Sequence, residues 1–449
     1  MNAISPINSQ REFSFLGKDW NYYRDLASIV CSRESTYRTA LDVTGFDIPT
    51  MTAALFRNFK SFLEAAFEGL TATLTIGLAP KVTQGVGYVC SKFIFKKDEQ
   101  KDTLNYLMFT MDELRDKNKF QNAASRIKEE EMQDKNFTAA LYERAGHSKQ
   151  AERFKKEAKE IEDFCTRFTP SEDIRQKICK LKKATIIGES FLEGGFWGGF
   201  GLLMRGFRKY VLGEDRFTGT KGYVSDSESE QLGESGDLNI FQKIIGVAAI
   251  FISPVLNLFL LNKVEDDEAV AKSPFLQTVK SQWDMTHGVY PKLGLLFSYT
   301  TIPKWIGAIS LSQGWFERGE RILKLLTVLP SWWFGHRITN GVLAAKEDTK
   351  LAEKHNVPQG ILVEPEYLKS NLNENSSVWK KINATFPEPA KIHHVMDSTE
   401  GNEVLQKEAE DLHASCLYKG FALHSLLVFL VNLGVNFTTK LRAERALGE

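Results

Sequence analysis

Two stretches of the chain are apolar over a full membrane thickness. Ile244–Leu261 reads IIGVAAIFISPVLNLFLL, 18 residues without a charge between Lys243 and Lys263. At about 1.5 Å per residue such a helix is roughly 27 Å long, close to the hydrocarbon thickness of a bilayer. Pro254 stands in its middle. In a soluble helix interior that costs about 3 kcal/mol, whereas membrane helices tolerate it because neighbouring groups satisfy the freed carbonyl. The competing reading is a buried core helix of a large soluble protein. The second stretch, Gly420–Phe437, reads GFALHSLLVFLVNLGVNF, with His424 its only titratable residue and Lys440, Arg442 and Arg445 just beyond. Basic residues there predict a cytoplasmic C-terminus.

Three weaker windows precede or separate these. Lys292–Leu311 carries Pro303 and Lys304, and Ile322–Ala345 carries Pro330, the Trp332–Trp333 pair, His336 and Arg337. Tryptophans beside cations suit the headgroup layer, so these windows read as kinked spans, re-entrant segments or interfacial helices. Phe59–Leu78 has a helical stripe of Phe59, Phe62, Leu63, Ala66, Phe67, Leu70 and Leu74, with Lys60, Glu64, Glu68, Thr71 and Thr75 largely on the other side. That pattern predicts an interfacial helix, or a bundle helix with a polar interior.

The segment also has an internal echo. Ser61–Gly69 and Ser190–Gly198 match at six of nine positions with a constant offset of 129, and Leu74/Leu203, Gly77/Gly206 and Val82/Val211 keep the register. A weak duplication of 61–82 and 190–211 is the resulting expectation, of a kind common in membrane transporters. The second copy crowds Gly194, Gly195, Gly198, Gly199 and Gly201 into one stretch. Small residues four apart let helix backbones approach closely. The spacing is not that of a dinucleotide-binding loop, and no phosphate-binding lysine follows.

The polar blocks complete the organisation. Residues 1–58 are a polar N-terminal region, 59–95 an amphipathic helical segment and 96–183 a charged helical region outside the membrane. Residues 184–212 are the glycine-rich hydrophobic segment, 213–239 a mobile acidic loop and 240–345 proline-interrupted membrane helices. A second polar extramembrane region covers 346–415, and 416–449 forms the last membrane helix with its basic tail. Within the charged region, Ala139–Gly146 leads through His147 to Ala151 and Ala158. Tyrosine, a turn glycine and alanines seven apart make this similar to a single tetratricopeptide-type helix–turn–helix. One unit cannot bury a solenoid face, so it reads as a plain helical hairpin for packing or partner contact.

Composition narrows the function. Lysine plus arginine equals aspartate plus glutamate, 57 each. No basic stripe with interleaved aromatics stands out, so nucleic-acid binding is disfavoured. The mean hydropathy of −0.26 averages charged blocks with apolar windows and conceals both. Five dispersed cysteines (Cys31, Cys90, Cys165, Cys179, Cys416) predict reduced thiols. The first residues show no cleavable signal pattern. Adjacent His393 and His394 point about 100° apart in a helix, and the eight histidines form no zinc pattern. No cofactor or metal is expected.

The fold class expected is therefore mainly α: a multi-helix integral membrane protein with helical extramembrane regions. The leading functional expectation is a structural, interaction or anchoring role, with membrane lipid and a protein bound through 96–183 as partners. The alternative is a transporter or channel, for which Glu64, Glu68, Glu189, Glu193 and Arg205 form the candidate polar membrane site. Ionisable groups at membrane depth cost several kcal/mol unless partnered or functional. The plainer reading places each glutamate on the wet face of an amphipathic helix. An enzyme is disfavoured, because no GxSxG, HExxH or paired-aspartate motif occurs.

Overall fold

A computed structural model describes residues 19–220, 223, 225, 228, 239–264, 266–286, 289–368, 371–372 and 378–448. The protein is mainly helical. The helices used below are α1 (Trp20–Ser32), α2 (Glu34–Asp42), α3 (Ile48–Leu55), α4 (Phe59–Ile94), α5 (Lys117–Ile127), α6 (Gln133–Arg144), α7 (Ser148–Arg167), α8 (Glu172–Gly198), α9 (Phe200–Phe207), α10 (Ile240–Lys263), α11 (Ile302–Ser310), α12 (Trp315–His336), α13 (Val342–His355) and α14 (Glu403–Leu447). A two-stranded antiparallel ribbon pairs Met285 with Pro291 and Thr286 with Tyr290.

Sequence signals set the helix starts. The Asn58 side chain accepts from the Ser61 amide (2.7 Å) at the head of α4, and Ser171 caps α8 from the same position. Asn239 and Gln242 form a reciprocal capping box at the head of α10. Pro254 lies inside an unbroken α10, as do Pro80 in α4 and Pro330 in α12. Pro303 sits in the first turn of α11, directly after the π-helical turn Phe297–Thr301.

The chain forms two compact units. The first comprises the chain up to Arg33, Lys135–Lys156 and His336–Phe421. Its core gathers Ile29, Leu141, Leu351, Leu362, Ile392, Val395 and Leu405. Buried Asp348 accepts from the backbone amides of Gly360, Ile361 and Leu362 at 2.7–2.8 Å, so an irregular segment is fixed without secondary structure. Arg144 bridges Asp25 and Glu410, both at 2.9 Å. The expected hairpin is present as α6 and α7, turned by Gly146 at φ +79°, with Tyr142 stacked on Phe154.

The second unit comprises Glu34–Asp134, Glu157–Gly335 and the chain from Ala422. Residues 96–134 and 157–183 belong to this unit and 135–156 to the first. Beyond an aromatic core around Phe95, Tyr106, Phe109, Phe120 and Phe164, α8 runs between α4, α10 and α11. Glycine makes this contact possible. A methyl group at Gly198 would overlap the Ala249 carbonyl of α10, one at Gly194 the Ser253 side chain, and one at Gly307 of α11 the Gly198 carbonyl. The Gly194–Gly198 spacing of four is the close-approach pattern read from the sequence. The two halves of the sequence echo both lie in helices, but the second breaks at Gly199, between α8 and α9.

Among the described residues three helices are long and apolar enough to cross a membrane: α4, α10 and α14. Only 22%, 39% and 33% of their most apolar windows is buried, which argues against ordinary core helices. Two of them turn polar or small residues inward and large apolar residues outward. α10 buries Gly246, Ala249, Ser253 and Asn257 while exposing Ile244, Val247, Phe251, Val255 and Leu258. In α4 the apolar stripe of Leu70 and Leu74 is exposed and Ser61, Glu64, Thr83 and Ser91 are buried. The polar groups are satisfied locally. Thr71, Thr75, Thr83 and Thr439 donate to the carbonyl four residues back, as does Asn432. The acidic loop expected at 213–239 differs in its first part, because Phe217, Thr218 and Thr220 are buried. Most of its remainder, and the Trp332–Trp333 side chains, lie outside the described residues.

The close helix contact gives a paired test. Gly198→Ala inserts a methyl against backbone and is expected to destabilise by about 1–3 kcal/mol, the usual overpacking cost. Gly434→Ala in α14, where nothing lies within 4 Å, gains roughly 0.5–1 kcal/mol from helix propensity. Unfolding midpoints in detergent micelles report both, with opposite signs.

Candidate functional site

The site is an ionic cavity inside the second unit, and its charged parts arrive from six segments of the chain. α4 supplies Glu64 and Glu68, four residues apart and therefore on one helix face. α12 supplies Glu317, Glu320, Arg321 and Lys324, α11 supplies Lys304, and the chain between α3 and α4 supplies Arg57. Arg208 enters from a π-helical turn, Arg208–Leu212, after α9, and Asp47 from another, Val43–Asp47, between α2 and α3. Such turns rotate a side chain off the regular helical face and recur at functional sites.

Arg208 is fully buried and organises the cluster. It holds Glu317 with both arms of its guanidinium (2.6 and 3.0 Å), reaches Gln313 at 2.6 Å, and pairs with Glu64. Glu64 also accepts from the Thr218 hydroxyl (2.5 Å), which explains the burial of that loop. Arg321 lies 3.4 Å from Glu317 and 3.3 Å from Glu68, and Lys304 completes Glu68 at 2.8 Å. Arg57 forks onto Glu320 at 2.8 and 3.3 Å and reaches Asn436 of α14 at 2.6 Å. Lys324 and Thr439 complete Glu320, each at 2.9 Å. Asp47 bonds Thr73.

Five cations (Arg57, Arg208, Lys304, Arg321, Lys324) thus pair with four glutamates (Glu64, Glu68, Glu317, Glu320), and Asp47 lines the same cavity. Isolated charges here would be prohibitive, whereas a matched, hydrogen-bonded set is tolerable. Most of the set lines a cavity of about 60 Å³, closed by Thr50, Trp305, Asn432 and Asn436. That is room for a few waters or one small polar solute.

The five residues expected from sequence do not form one site. Glu64 and Glu68 line the ionic cavity. Glu189 and Glu193, one turn apart on α8, lie elsewhere in the unit, beside Thr83 of α4 and Tyr299 of a third π-helical turn, Phe297–Thr301. Arg205 is fixed by a bond from its Nη1 to the Leu311 carbonyl (3.0 Å). The cation that takes Glu64 is Arg208, three residues further on. Glu64, Glu189 and Glu193 are buried, so the wet-face reading of these glutamates does not describe them.

Sequence reasoning missed Arg57, Glu317, Glu320 and Arg321. The signal was present as Glu317, Glu320, Arg321 and Lys324 at spacings of three and four beside an apolar window, a charged stripe meant to meet another. Two histidines contact the backbone, His394 the Gly360 carbonyl at 2.7 Å and His413 that of Ala390 at 3.0 Å, while His336 and His355 meet Glu388 and Glu408. Among the described residues no group of three or more His, Cys, Asp or Glu is placed to hold a metal ion. All five cysteines are free, and desolvation pushes the Cys31 thiol up to about 12, which keeps it protonated and unreactive.

Removing the hub separates charge from shape. Arg208→Met strands Glu64 and Glu317 and is expected to cost about 3–5 kcal/mol. Adding Glu64→Gln and Glu317→Gln to that variant restores most of the loss in a detergent unfolding series. Equal instability of the single and triple variants would show that packing alone explains Arg208. Set beside protein-family models, curated proteins and solved structures, the chain matches none of them.

Proposed function

We propose that the chain is a multi-pass helical membrane protein whose bundle accommodates a small polar or ionic solute, a transporter or channel in class. The observation that carries this reading is that α4, α10 and α14 expose apolar faces while an ionic cavity lies inside the same unit. A simple anchor needs nothing more than apolar helices. Burying Asp47, Glu64, Arg208, Glu317, Glu320 and Arg321 costs far more than an anchor requires, and ionisable groups within apolar bundles are functional candidates for that reason. The apolar faces of α4, α10 and α14 then lie in lipid, with the exposed phenylalanines and leucines as the contact surface. Prolines inside α4, α10 and α12 supply points where a helix bends.

A second reading, a membrane anchor that presents helical regions to a protein partner, is favoured by the first unit. That unit has its own core and an internal ion-pair set. The two readings make different demands on the cavity.

Sodium carbonate washing is expected to leave the protein in the membrane pellet, and release into the soluble fraction overturns the membrane part of the proposal. Liposomes carrying the protein are then shrunk in sodium chloride, potassium phosphate or glycine and followed by light scattering. The proposal expects faster re-swelling than empty liposomes for at least one solute, abolished by Asn432→Phe, which fills the cavity. Equal permeability for all three assigns the chain to the anchor reading.

A further inference from the structure

Glu189 and Glu193 are the carboxylates that the ionic cluster leaves out. They stand one helical turn apart on α8, 0% and 5% exposed. Neither oxygen of Glu193 meets a hydrogen-bond donor, in contrast to every glutamate around the cavity. Glu189 takes the Thr83 hydroxyl, which itself belongs to α4.

The surroundings can be named element by element. From α4 the pair is faced by Thr83 and Cys90, and from the Phe297–Thr301 turn by Tyr299. From α10 come Ser253, packed on Gly194, and Asn257, whose amide is committed to Ser190 at 2.9 Å. From α11 the nearest cation is Lys304, seated over Trp197 one turn further along α8, with its ammonium given to Glu68. No lysine, arginine or histidine forms an ion pair with either carboxylate among the described residues.

Two carboxylates so placed cannot both be bare anions. A buried charge without a partner is neutralised by a bound cation or a proton. A metal cation wants six or more oxygen ligands for calcium and an octahedral set for magnesium. Here the pair is joined by few other oxygens, of which Thr83 is already donating. A proton needs only one oxygen.

We propose that Glu189 and Glu193 form a proton-binding site within the helical bundle, separate from the ionic cavity. It rests on the same membrane reading but not on solute passage through the cavity. Binding is a simple protonation: a carboxylate oxygen gains H⁺ and the local charge falls by one. Thr83 and Tyr299 supply hydroxyls through which the proton reaches or leaves the pair. The α8 contact with Gly194 and Gly198 holds α10 close enough to keep water out.

The test uses the full chain in detergent micelles and in liposomes. Infrared spectra at neutral pH are expected to show a protonated-carboxyl C=O band in the wild type, reduced in Glu189→Gln or Glu193→Gln and lost in the double variant. Glutamine preserves shape and removes the need for a proton, so the double variant is expected to keep the wild-type circular dichroism and an equal or higher unfolding midpoint. Glu68→Gln, in the ionic cavity, leaves the band intact. A wild type without the band overturns the proposal. So does a band that disappears when sodium chloride replaces choline chloride at fixed pH and ionic strength, because the site then belongs to a metal cation. A band that persists while all liposome swelling is absent keeps the proton site and removes the solute reading.

Discussion

Everything in the second unit depends on one constraint: charge placed inside an apolar-coated bundle must be neutralised where it stands. Arg208 meets that constraint with geometry as much as charge. Its planar fork takes both oxygens of Glu317, and the same two Nη groups also reach Glu64 and Gln313. Through Glu64 it fixes the Thr218 loop, and through Arg321 it is coupled to Glu68 and Lys304. A lysine at the same place would satisfy one carboxylate and leave the other exposed to an apolar interior. The helices are therefore joined by side chains that lose their value if any one partner leaves.

Helical character and the two strongest apolar windows were legible in the sequence because both are local. An uncharged run of 18 residues and a capping residue can be read without knowing the neighbours. The direction of each helix face was not. The stripe through Leu70 and Leu74 reads equally well as a core face or as an outer face, since periodicity gives the angle between residues and not the side on which the protein lies. Partnership was hidden for the same reason. Glu64 was visible as an acidic residue in an apolar helix, but Arg208 and Glu317 are 144 and 109 residues apart from their partners in sequence. The π-helical turns that aim Asp47, Arg208 and Tyr299 inward leave no signature that propensity can detect.

The glutamates divide by partner rather than by position in the repeat-like windows. Glu64 and Glu193 occupy equivalent places in the matching stretches, yet one is held by arginine and the other by nothing that donates. If the two stretches share an origin, their interiors have since taken different electrostatic roles. A fully paired network resists change, because every alternative arrangement leaves a charge bare. An unpaired carboxylate, by contrast, is sensitive to small changes in its surroundings.

The central claim is that α4, α10 and α14 turn apolar faces outward, and the direct test is where that outer face lies. Spin labels are attached through Val255→Cys, on the exposed face of α10, and Tyr210→Cys, exposed beyond α9, in liposome-reconstituted protein. The account predicts that the label at 255 is relaxed by dissolved oxygen and shielded from a water-soluble nickel chelate, with the pattern reversed at 210. Strong relaxation of the label at 255 by the nickel chelate would place that face in water and contradict the account.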